Sequence, residues 1–445
     1  MTLIPHCGYA MGTRGDQLTF IVLKKGETVS TTDGRNMITL ASIVLLSLML
    51  AACGGAKDAP ITVPAGVQAG DLVGLEPCTY KARDVEYAAD CGTLVVPENR
   101  AAPNSRLIAL PVIRVRATGD TPAEPIFYLS GGPGTSNLHF QHLGDVIEKH
   151  DFVQVGYRGV DGSVVLDCPE ISEAFREARV LLSHETLESY TAAGASCARR
   201  LQAEGVDLAG YTLTETVDDN EDARVALGYE RISLLGGSYG TRLEMIYEWM
   251  YPDSLHRVVM LAVNPPGRFV WDAEVIDDQI EDYARLCAQD PECSARTDDL
   301  VASMRCLSED MPDRWLFIPI DEGAVKLLTP VMFFESIQPP GMPVPLYGPA
   351  AVDMWLAAEG GDASGMALAS ISRNLFLPTP WTWGEALSLS ASVDDYYDPA
   401  RDYRSEFEHR TRSSARRCRS CYGAWEQSGR PTLSRKKFSR CSLRT

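Results

Sequence analysis

Positive charge and histidine are both scarce in this sequence, and no complete metal-ligand pattern is present. The 445 residues carry 41 Lys and Arg against 60 Asp and Glu, which gives a net charge of −19 at pH 7. Phosphate binding needs clustered basic side chains, so a nucleic-acid partner is not expected. The one Cys-x-x-Cys pair, Cys418 and Cys421, has no second pair or flanking histidine at zinc-site spacing. We therefore predict neither a metal site nor a cofactor.

Long apolar runs are lacking as well. The run from Ile38 to Ala52 has about the length of a signal peptide's hydrophobic segment and is too short to predict a membrane span. It leads into Leu50-Ala-Ala-Cys53-Gly, where small residues followed by cysteine and glycine resemble a bacterial lipobox. Cys53 would then be lipidated, become the mature N-terminus and hold an exported protein on a membrane. The alternative is an ordinary secretory signal or a short apolar helix, with Cys53 as a thiol or in a disulfide.

Cysteine, by contrast, is abundant. Twelve cysteines are many for a cytosolic protein, and they indicate an oxidising compartment. Spacing alone does not fix their connectivity. The simplest pairing joins Cys78 with Cys91, Cys168 with Cys197, and Cys287 with Cys293.

The stretch from Arg231 to Met250 has the pattern of a strand, a tight turn and a helix. After the apolar run Ile232–Leu235, the residues Gly-Gly-Ser238-Tyr239-Gly fit the Gly-x-Ser-x-Gly pattern of a nucleophile elbow. The glycines let strand and helix pass closely while a strained serine is lifted clear of the sheet edge. Ser238 is therefore the candidate nucleophile, and the backbone N–H of Tyr239 can face a developing oxyanion. The alternative is a glycine-rich turn that only resembles the motif.

A second glycine cluster follows the strand predicted at Pro125–Leu129. The sequence continues as Ser-Gly131-Gly132-Pro-Gly134, and glycines let backbone N–H groups approach a substrate without side chains in the way. We predict that Gly131, or its neighbour Gly132, donates the second oxyanion N–H. Gly132 and Gly134 are predicted to contact the substrate. The alternative is a plain strand-to-helix turn.

Apolar runs alternate with amphipathic stretches on either side of these motifs. Such alternation implies a parallel sheet with helices on both faces. The other predicted elements are strands at Gly92–Pro97, Leu107–Val115, Asp151–Tyr157 and His256–Ala262, and a helix at Val217–Leu227.

Three stretches carry a family resemblance: Glu124–Gly134, Tyr157–Ser163 and Leu234–Arg242. They resemble the proline iminopeptidase and tripeptidyl aminopeptidase branch of the α/β-hydrolases, over roughly residues 75 to 400. The resemblance implies an α/β-hydrolase fold, with a mostly parallel sheet flanked by helices and an inserted helical cap. It also implies a serine peptidase that removes residues from free peptide N-termini. The residues by themselves indicate only a serine hydrolase.

Composition and the resemblance together divide the chain into six segments. The C-terminal one carries eleven Lys or Arg against a single acid, Glu426, and shows neither apolar periodicity nor strand alternation. An out-of-frame or truncated C-terminus explains this change, and a basic arm for nucleic acid or membrane is the alternative. The predicted segments are an N-terminal extension with a lipoprotein signal peptide (1–53), a linker (54–74), the α/β-hydrolase core (75–268), a helical cap (269–390), a return toward the core (391–408) and a basic, disordered tail (409–445).

A nucleophilic serine needs a base, and the order in this fold is Ser, then Asp or Glu, then His. Only two of the seven histidines, His256 and His409, follow Ser238. His256 begins a strand and is expected to be structural. His409 is the remaining base, with Asp394, Asp395 and Asp398 as candidate acids before it, although the gap from Asp398 to His409 is shorter than the family pattern implies. We expect either Asp398 and His409 or a lost acid and base, and we expect the last strands of the sheet to be missing.

These features predict an exported, lipid-anchored serine hydrolase of the aminopeptidase type. It would act on peptides or small acyl substrates through an acyl-enzyme on Ser238. Two alternatives remain open. One is a catalytically silent α/β-hydrolase lipoprotein that keeps a peptide-binding cleft, and the other is an esterase that acts on small acyl esters.

Overall fold

The computed structural model describes residues 61–144, 146–265, 273–334 and 346–376. The predicted site residues Cys53, Asp398 and His409 lie outside these ranges. The basic tail lies outside them too. So does the segment after residue 376, to which the prediction of missing last strands refers.

A seven-stranded mixed sheet forms the centre of the described chain. The strand order is β1-β2-β3-β5-β4-β6-β7. Strands β1, β2, β3 and β5 pair antiparallel with their neighbours in that order, whereas β5, β4, β6 and β7 pair parallel. With helices packed on the sheet, this confirms the predicted α/β-hydrolase architecture. The strands are β1 (Leu72–Ala82), β2 (Val85–Pro97), β3 (Leu107–Val115), β4 (Ala123–Leu129), β5 (His150–Val155), β6 (Ile232–Gly237) and β7 (Leu255–Leu261).

Eleven helices belong to the described residues. Several begin at a side chain that accepts a hydrogen bond from a backbone N–H of the first turn, as Ser183, Thr212 and Asp321 do. The helices are α1 (Val146–Lys149), α2 (Pro169–Glu177), α3 (His184–Ala203), α4 (Leu213–Ala226), α5 (Tyr239–Met250), α6 (Ala273–Gln289), α7 (Pro291–Ser294), α8 (Leu300–Glu309), α9 (Glu322–Phe333), α10 (Gly348–Glu359) and α11 (Ser364–Phe376).

The main core lies between the sheet and the helices α4 and α5. Phe127 of β4 and Leu234 of β6 are 0% and 1% exposed, and they pack in one cluster with Leu243 and Tyr247 of α5. Strands buried on both faces read as continuous apolar runs. That is why β4 and β6 could be predicted from sequence.

Strand β1 was not predicted. Its residues alternate between partly buried and exposed positions, and Gly74 and Pro77 interrupt its apolar pattern. It is held as the outer half of a hairpin with β2, with a turn at Arg83 (φ 53°) and a disulfide between the two strands. The tertiary pairing, rather than local propensity, therefore determines this strand.

The helices after β7 have a core of their own. Trp355 of α10 is 4% exposed, packs with Met332 and Met366, and donates a hydrogen bond from Nε1 to Thr329 Oγ1 (2.9 Å). A short hairpin, β8 (Arg314–Trp315) with β9 (Ile318–Pro319), is part of this region. The region coincides with the part of the chain for which the sequence predicts a helical cap.

A helical hairpin of α2 and α3 lies between β5 and α4, and the sequence analysis did not predict it. The carboxylate of Asp321, at the start of α9, accepts a hydrogen bond from the Leu181 N–H (3.1 Å). Arg373 of α11 donates to the same carboxylate and to the Ala178 carbonyl oxygen. The helical region after β7 is thus attached to this hairpin by hydrogen bonds between the Asp321–Arg373 ion pair and main-chain groups of the loop that joins α2 to α3.

All three predicted cysteine pairs form disulfides: Cys78–Cys91, Cys168–Cys197 and Cys287–Cys293. The Glu170 carboxylate lies beside the sulfurs of Cys168 and Cys197, but disulfide sulfurs are not thiolate ligands, so the group is not a metal site. Within the described ranges, no helix combines the length and apolar character needed to cross a bilayer.

Buried ion pairs connect the loops after β2 and β5 to helix α4. Arg158, after β5, is 2% exposed and bonds through Nε (2.7 Å) and Nη2 (2.5 Å) to the carboxylate of Asp219 on α4. Arg100, after β2, binds the same carboxylate (2.9 Å) and Glu215 (2.5 Å). Buried charges of this kind are tolerated only when they are paired and hydrogen-bonded. The network therefore fixes the loop that carries Arg158.

Replacing Asp219 by Asn should lower the free energy of unfolding by about 1.5–3 kcal/mol, because it removes a charged partner of both arginines and leaves Arg158 with Glu215 and Arg100 with Glu215 and Asp222. Urea unfolding is the measurement. Asp84, exposed in the β1–β2 turn, is the matched control, and Asp84→Asn should change stability by less than about 0.5 kcal/mol. An Asp219→Asn effect as small as that of the control would contradict the account.

Candidate active site

Ser238 lies at a sharp bend between β6, which ends at Gly237, and α5, which begins at Tyr239. Its backbone has φ 51° and ψ −117°, a conformation that costs a non-glycine residue about 1–3 kcal/mol. The surrounding backbone holds it there. The Ser238 N–H donates to the Leu261 carbonyl (2.8 Å), and the Ser238 carbonyl accepts from the Thr241 N–H (3.0 Å) and Oγ1 (2.7 Å).

Two of the three neighbouring glycines allow helix and strands to approach this closely. A β-carbon on Gly240 would overlap the Leu129 carbonyl oxygen at the end of β4, and one on Gly236 would overlap the Glu244 carboxyl. Gly237 has nothing within 4 Å of the position its β-carbon would take. The strand-turn-helix interpretation of this stretch therefore has a steric basis at positions 236 and 240.

The Gly131 loop lies directly against Ser238. Strands β4 and β6 are parallel neighbours, so the segments that follow them meet at one edge of the sheet. A β-carbon on Gly131 would be 3.2 Å from the Ser238 Cβ and 3.1 Å from the Gly237 carbonyl oxygen. Gly132 and Gly134 have φ values of 129° and 107°, which favour glycine. Ser238, Tyr239 and the Gly131 loop are thus brought together.

A buried polar network supports this loop. Asn137, which is 0% exposed, accepts from the Ser130 N–H (2.8 Å) and donates to the carbonyls of Tyr128 (2.9 Å) and Val155 (2.8 Å). Asp161 accepts from the N–H groups of Asn137 and Tyr157, both at 2.9 Å. Burial raises the pKa of Asp161, while these hydrogen bonds oppose the shift. The Gly131 loop is therefore positioned by side chains as well as by its strand.

Sequence reasoning missed both supporting residues. Asp161 lies within the Tyr157–Ser163 stretch that carried part of the resemblance, so that stretch held a usable signal. Asn137 carried no such signal, because a lone asparagine after a glycine cluster is typical of an ordinary loop residue.

A narrow cleft opens beside the loop. Gly134, Tyr157, Tyr211, Thr212 and Tyr239 contribute to its walls. The rings of Tyr157 and Tyr239 meet edge to face at 6.2 Å, and the Tyr157 hydroxyl donates to the Ser130 carbonyl (3.1 Å). The one charged group in its lining, the Arg158 guanidinium, is engaged by the Asp219 carboxylate. The cleft is thus walled by aromatic rings and threonine side chains beside the Gly131 loop.

The base for Ser238 is not found in the described part of the chain. No histidine there bonds to the Ser238 hydroxyl. His256 lies at the start of β7, next to Glu124 (3.4 Å), whereas the neighbour of Ser238 is Leu261 at the far end of that strand. A strand of this length separates the two ends by roughly 20 Å. Asp398 and His409 stay sequence predictions, since they lie outside the described residues.

Comparison with known proteins extends these observations. The chain is 28% identical over 251 residues to a tripeptidyl aminopeptidase of Streptomyces lividans, covering 51% of this chain and 44% of that protein. It is 27% identical over 292 residues to the serine protease Hip1 of Mycobacterium tuberculosis, covering 59% of this chain and 54% of that protein. The chain thus spans about half the length of these relatives. The resemblance to this serine peptidase branch is confirmed at the level of sequence.

Solved structures match only loosely. A probable hydrolytic enzyme from Pseudomonas aeruginosa has a TM-score of 0.31 at 14% identity, over 71% of this chain and 70% of that one. A putative epoxide hydrolase from the same organism has a TM-score of 0.28 at 15% identity, over 68% and 73%. Likeness this low carries no argument about function. No protein-family model matches the chain.

Replacing Gly240 by Ala should destabilise the protein by about 1–3 kcal/mol, because the methyl group would force α5 away from the end of β4. Thermal unfolding is the measurement. Gly237→Ala in the same turn is the control, since open space surrounds that position, and it should leave the melting temperature nearly unchanged. Equal effects of the two substitutions would show that close approach does not determine the elbow.

Proposed function

We propose that the chain is a serine hydrolase with Ser238 as its nucleophile. The observation that carries this proposal is the strained backbone of Ser238 at a strand-helix bend, directly against the Gly131 loop. The N–H groups of Tyr239 and Gly131, or Gly132 in place of Gly131, would stabilise the oxyanion of the tetrahedral intermediate. Attack by the Ser238 hydroxyl on a carbonyl carbon would release the leaving group and form an acyl-enzyme, which water then hydrolyses.

The proposed substrates are peptides, from whose free N-termini the enzyme would release residues. The support is the similarity to proteins named tripeptidyl aminopeptidase and serine protease. Gly132 and Gly134 would contact the peptide, and the helical region after β7 would act as the cap that excludes water from the site. An esterase is the second candidate, because the same serine and oxyanion donors would act on the carbonyl group of a small acyl ester. Comparing turnover of p-nitrophenyl esters with that of peptide anilides separates the two.

Activity depends on a base that takes the proton of the Ser238 hydroxyl. We propose His409 as this base and Asp398 as the acid of the triad. A serine triad without its imidazole loses most of its rate, although the oxyanion site and substrate binding leave a remnant. If neither residue reaches Ser238, the chain would be a peptide-binding lipoprotein with an impaired site. The nucleophile, the oxyanion donors and the cleft are common to both outcomes.

We also propose that the protein is exported and held on a membrane of the bacterial cell envelope through a lipid on Cys53. Three disulfides within the described residues support an oxidising compartment. The sequence around Cys53, with its preceding apolar run and following glycine, supports the anchor.

A fluorophosphonate probe should label the protein on Ser238, because an activated serine hydroxyl loses its proton, attacks the phosphorus and displaces fluoride, and the oxyanion site stabilises the adduct. Ser238→Ala should abolish labelling. Ser294→Ala, at an exposed serine on α7, should leave it unchanged. Labelling that survives in Ser238→Ala would refute Ser238 as nucleophile. If the unchanged protein is not labelled, the remaining interpretation is a peptide-binding lipoprotein with an impaired site.

Replacing Cys53 by Ala should move the protein from the membrane fraction to the soluble fraction of the expressing bacterium, because the lipid attachment site is removed. Fractionation followed by immunoblotting is the measurement, and Cys306→Ala, at a cysteine outside the three disulfides, is the control. Persistence of Cys53→Ala in the membrane fraction would exclude the anchor.

A further inference from the structure

Glu244 is a buried carboxyl group without a partner. It lies on α5, six residues after Ser238, and is 0% exposed. Within the described residues, neither of its carboxyl oxygens has a hydrogen-bond partner. The other deeply buried acids of the sheet region differ in this respect, since Asp90 and Asp219 are each bound by two arginines. A buried polar group left without a partner needs an explanation.

The Glu244 carboxyl packs against the strand that presents Ser238. It occupies the space that a β-carbon on Gly236 would take, and Gly236 is two residues before Ser238 in β6. Gly240, at the first turn of α5, borders the same space. The carboxyl is therefore wedged between α5 and β6 at the base of the elbow, so a change in its size or hydration acts on the backbone that leads into Ser238.

No counter-charge meets this carboxyl from the elements that pack on α5. Strand β6 has no ionisable side chain. Arg242 of α5 donates to the Asn264 Oδ1 and to the Pro265 carbonyl, both at 3.0 Å, and Glu221 is bonded to Arg224 (2.6 Å) and to the Tyr247 hydroxyl (2.5 Å). The ionisable side chains on these elements are Glu215, Asp218, Asp219, Glu221, Asp222 and Arg224 on α4, Glu124 and Tyr128 on β4, His256 and Arg257 on β7, Asp253 after α5, and Tyr239, Arg242, Tyr247, Glu248 and Tyr251 on α5 or at its end. None of them forms an ion pair with Glu244 in the described part of the chain.

The environment favours the uncharged acid. Burial raises the pKa of Glu244 to about 8, and the nearby Gly236 N–H only partly opposes the shift. Moving an unpaired carboxylate out of water is costly, so the group binds a proton instead. At neutral pH the base of the elbow therefore holds a neutral carboxylic acid.

We propose that Glu244 is a positioning residue for Ser238 and that it supports the elbow only as the uncharged acid. Ionisation would place an unpaired anion between α5 and Gly236, which either draws water into the elbow or repels the oxyanion formed at Ser238. Two like charges about 10 Å apart in a medium of effective dielectric constant ~20 correspond to roughly a tenfold loss of rate. The effect on rate rests on the proposed function, whereas the effect on stability does not.

The test compares the unchanged protein with Glu244→Gln, which has the same shape and stays uncharged. Glu248→Gln, one turn further along the same helix at an exposed position, is the control. The first measurement is thermal and urea unfolding between pH 5 and pH 9. The second is the rate of fluorophosphonate labelling over the same range.

The sign of the stability effect follows from linkage. The pKa of Glu244 is raised in the folded protein, so the folded state binds more protons than the unfolded state between the ordinary glutamate value and about 8. The folding equilibrium constant should therefore fall by up to about tenfold per pH unit in that window, and level off above it. Glu244→Gln lacks this contribution, so its stability relative to the unchanged protein should rise steadily from pH 5 to pH 8. Glu248→Gln should show no such trend.

The labelling rate of the unchanged protein should fall roughly tenfold above pH 8, while that of Glu244→Gln should not. If the stability of the two proteins changes with pH in parallel, the claim that Glu244 is uncharged at neutral pH is wrong. If their stability profiles differ but their labelling profiles do not, the positioning role is wrong. Absence of labelling in both proteins at every pH would overturn the proposed function and the positioning role together. In that case the stability profiles would still report the charge state of Glu244.

Discussion

The structure depends on how closely one helix crosses the ends of two strands. At Gly240, helix α5 lies against the Leu129 carbonyl at the end of β4, and at Gly236 the Glu244 carboxyl of α5 fills the space beside the end of β6, so neither glycine has room for a β-carbon. That contact forces the chain between them through a positive φ at Ser238, a strain that the Leu261 carbonyl and Thr241 hold in place. Backbone strain persists only when the surroundings over-determine it, and here packing supplies that constraint.

Sheet topology determines what meets Ser238. Because β4 and β6 are parallel neighbours, their carboxyl ends lie side by side, and the Gly131 loop faces the elbow although about a hundred residues separate them. Asn137 and Asp161 then fix the loop through hydrogen bonds to main-chain groups. A pre-positioned pair of backbone N–H groups is what stabilises an oxyanion without reorganisation. The catalytic proposal is therefore a consequence of strand order and loop support together.

Much of this was predictable because it is encoded locally. The apolar runs of β4 and β6 and the glycines of the elbow each leave a signature within a few residues, and the three cysteine pairs follow the simplest pairing along the chain. What could not be predicted depends on partners distant in sequence: β1 exists through its pairing with β2, and the α2–α3 hairpin through contacts such as Asp321 with Leu181. Helix α4 begins at Leu213, four residues before the predicted start, although Thr212 and Glu215 form a recognisable capping pattern. Glu244 gave no sign of its burial, since an acid in an amphipathic helix normally faces solvent.

The most direct test of the account is a crystal structure of the protein after reaction with a phosphonate inhibitor. The account predicts a covalent bond from the Ser238 Oγ to phosphorus, with the phosphoryl oxygen about 2.7–3.1 Å from the N–H nitrogens of Tyr239 and of Gly131 or Gly132. A phosphonate on another residue, or a phosphoryl oxygen that points away from the Gly131 loop, would contradict it.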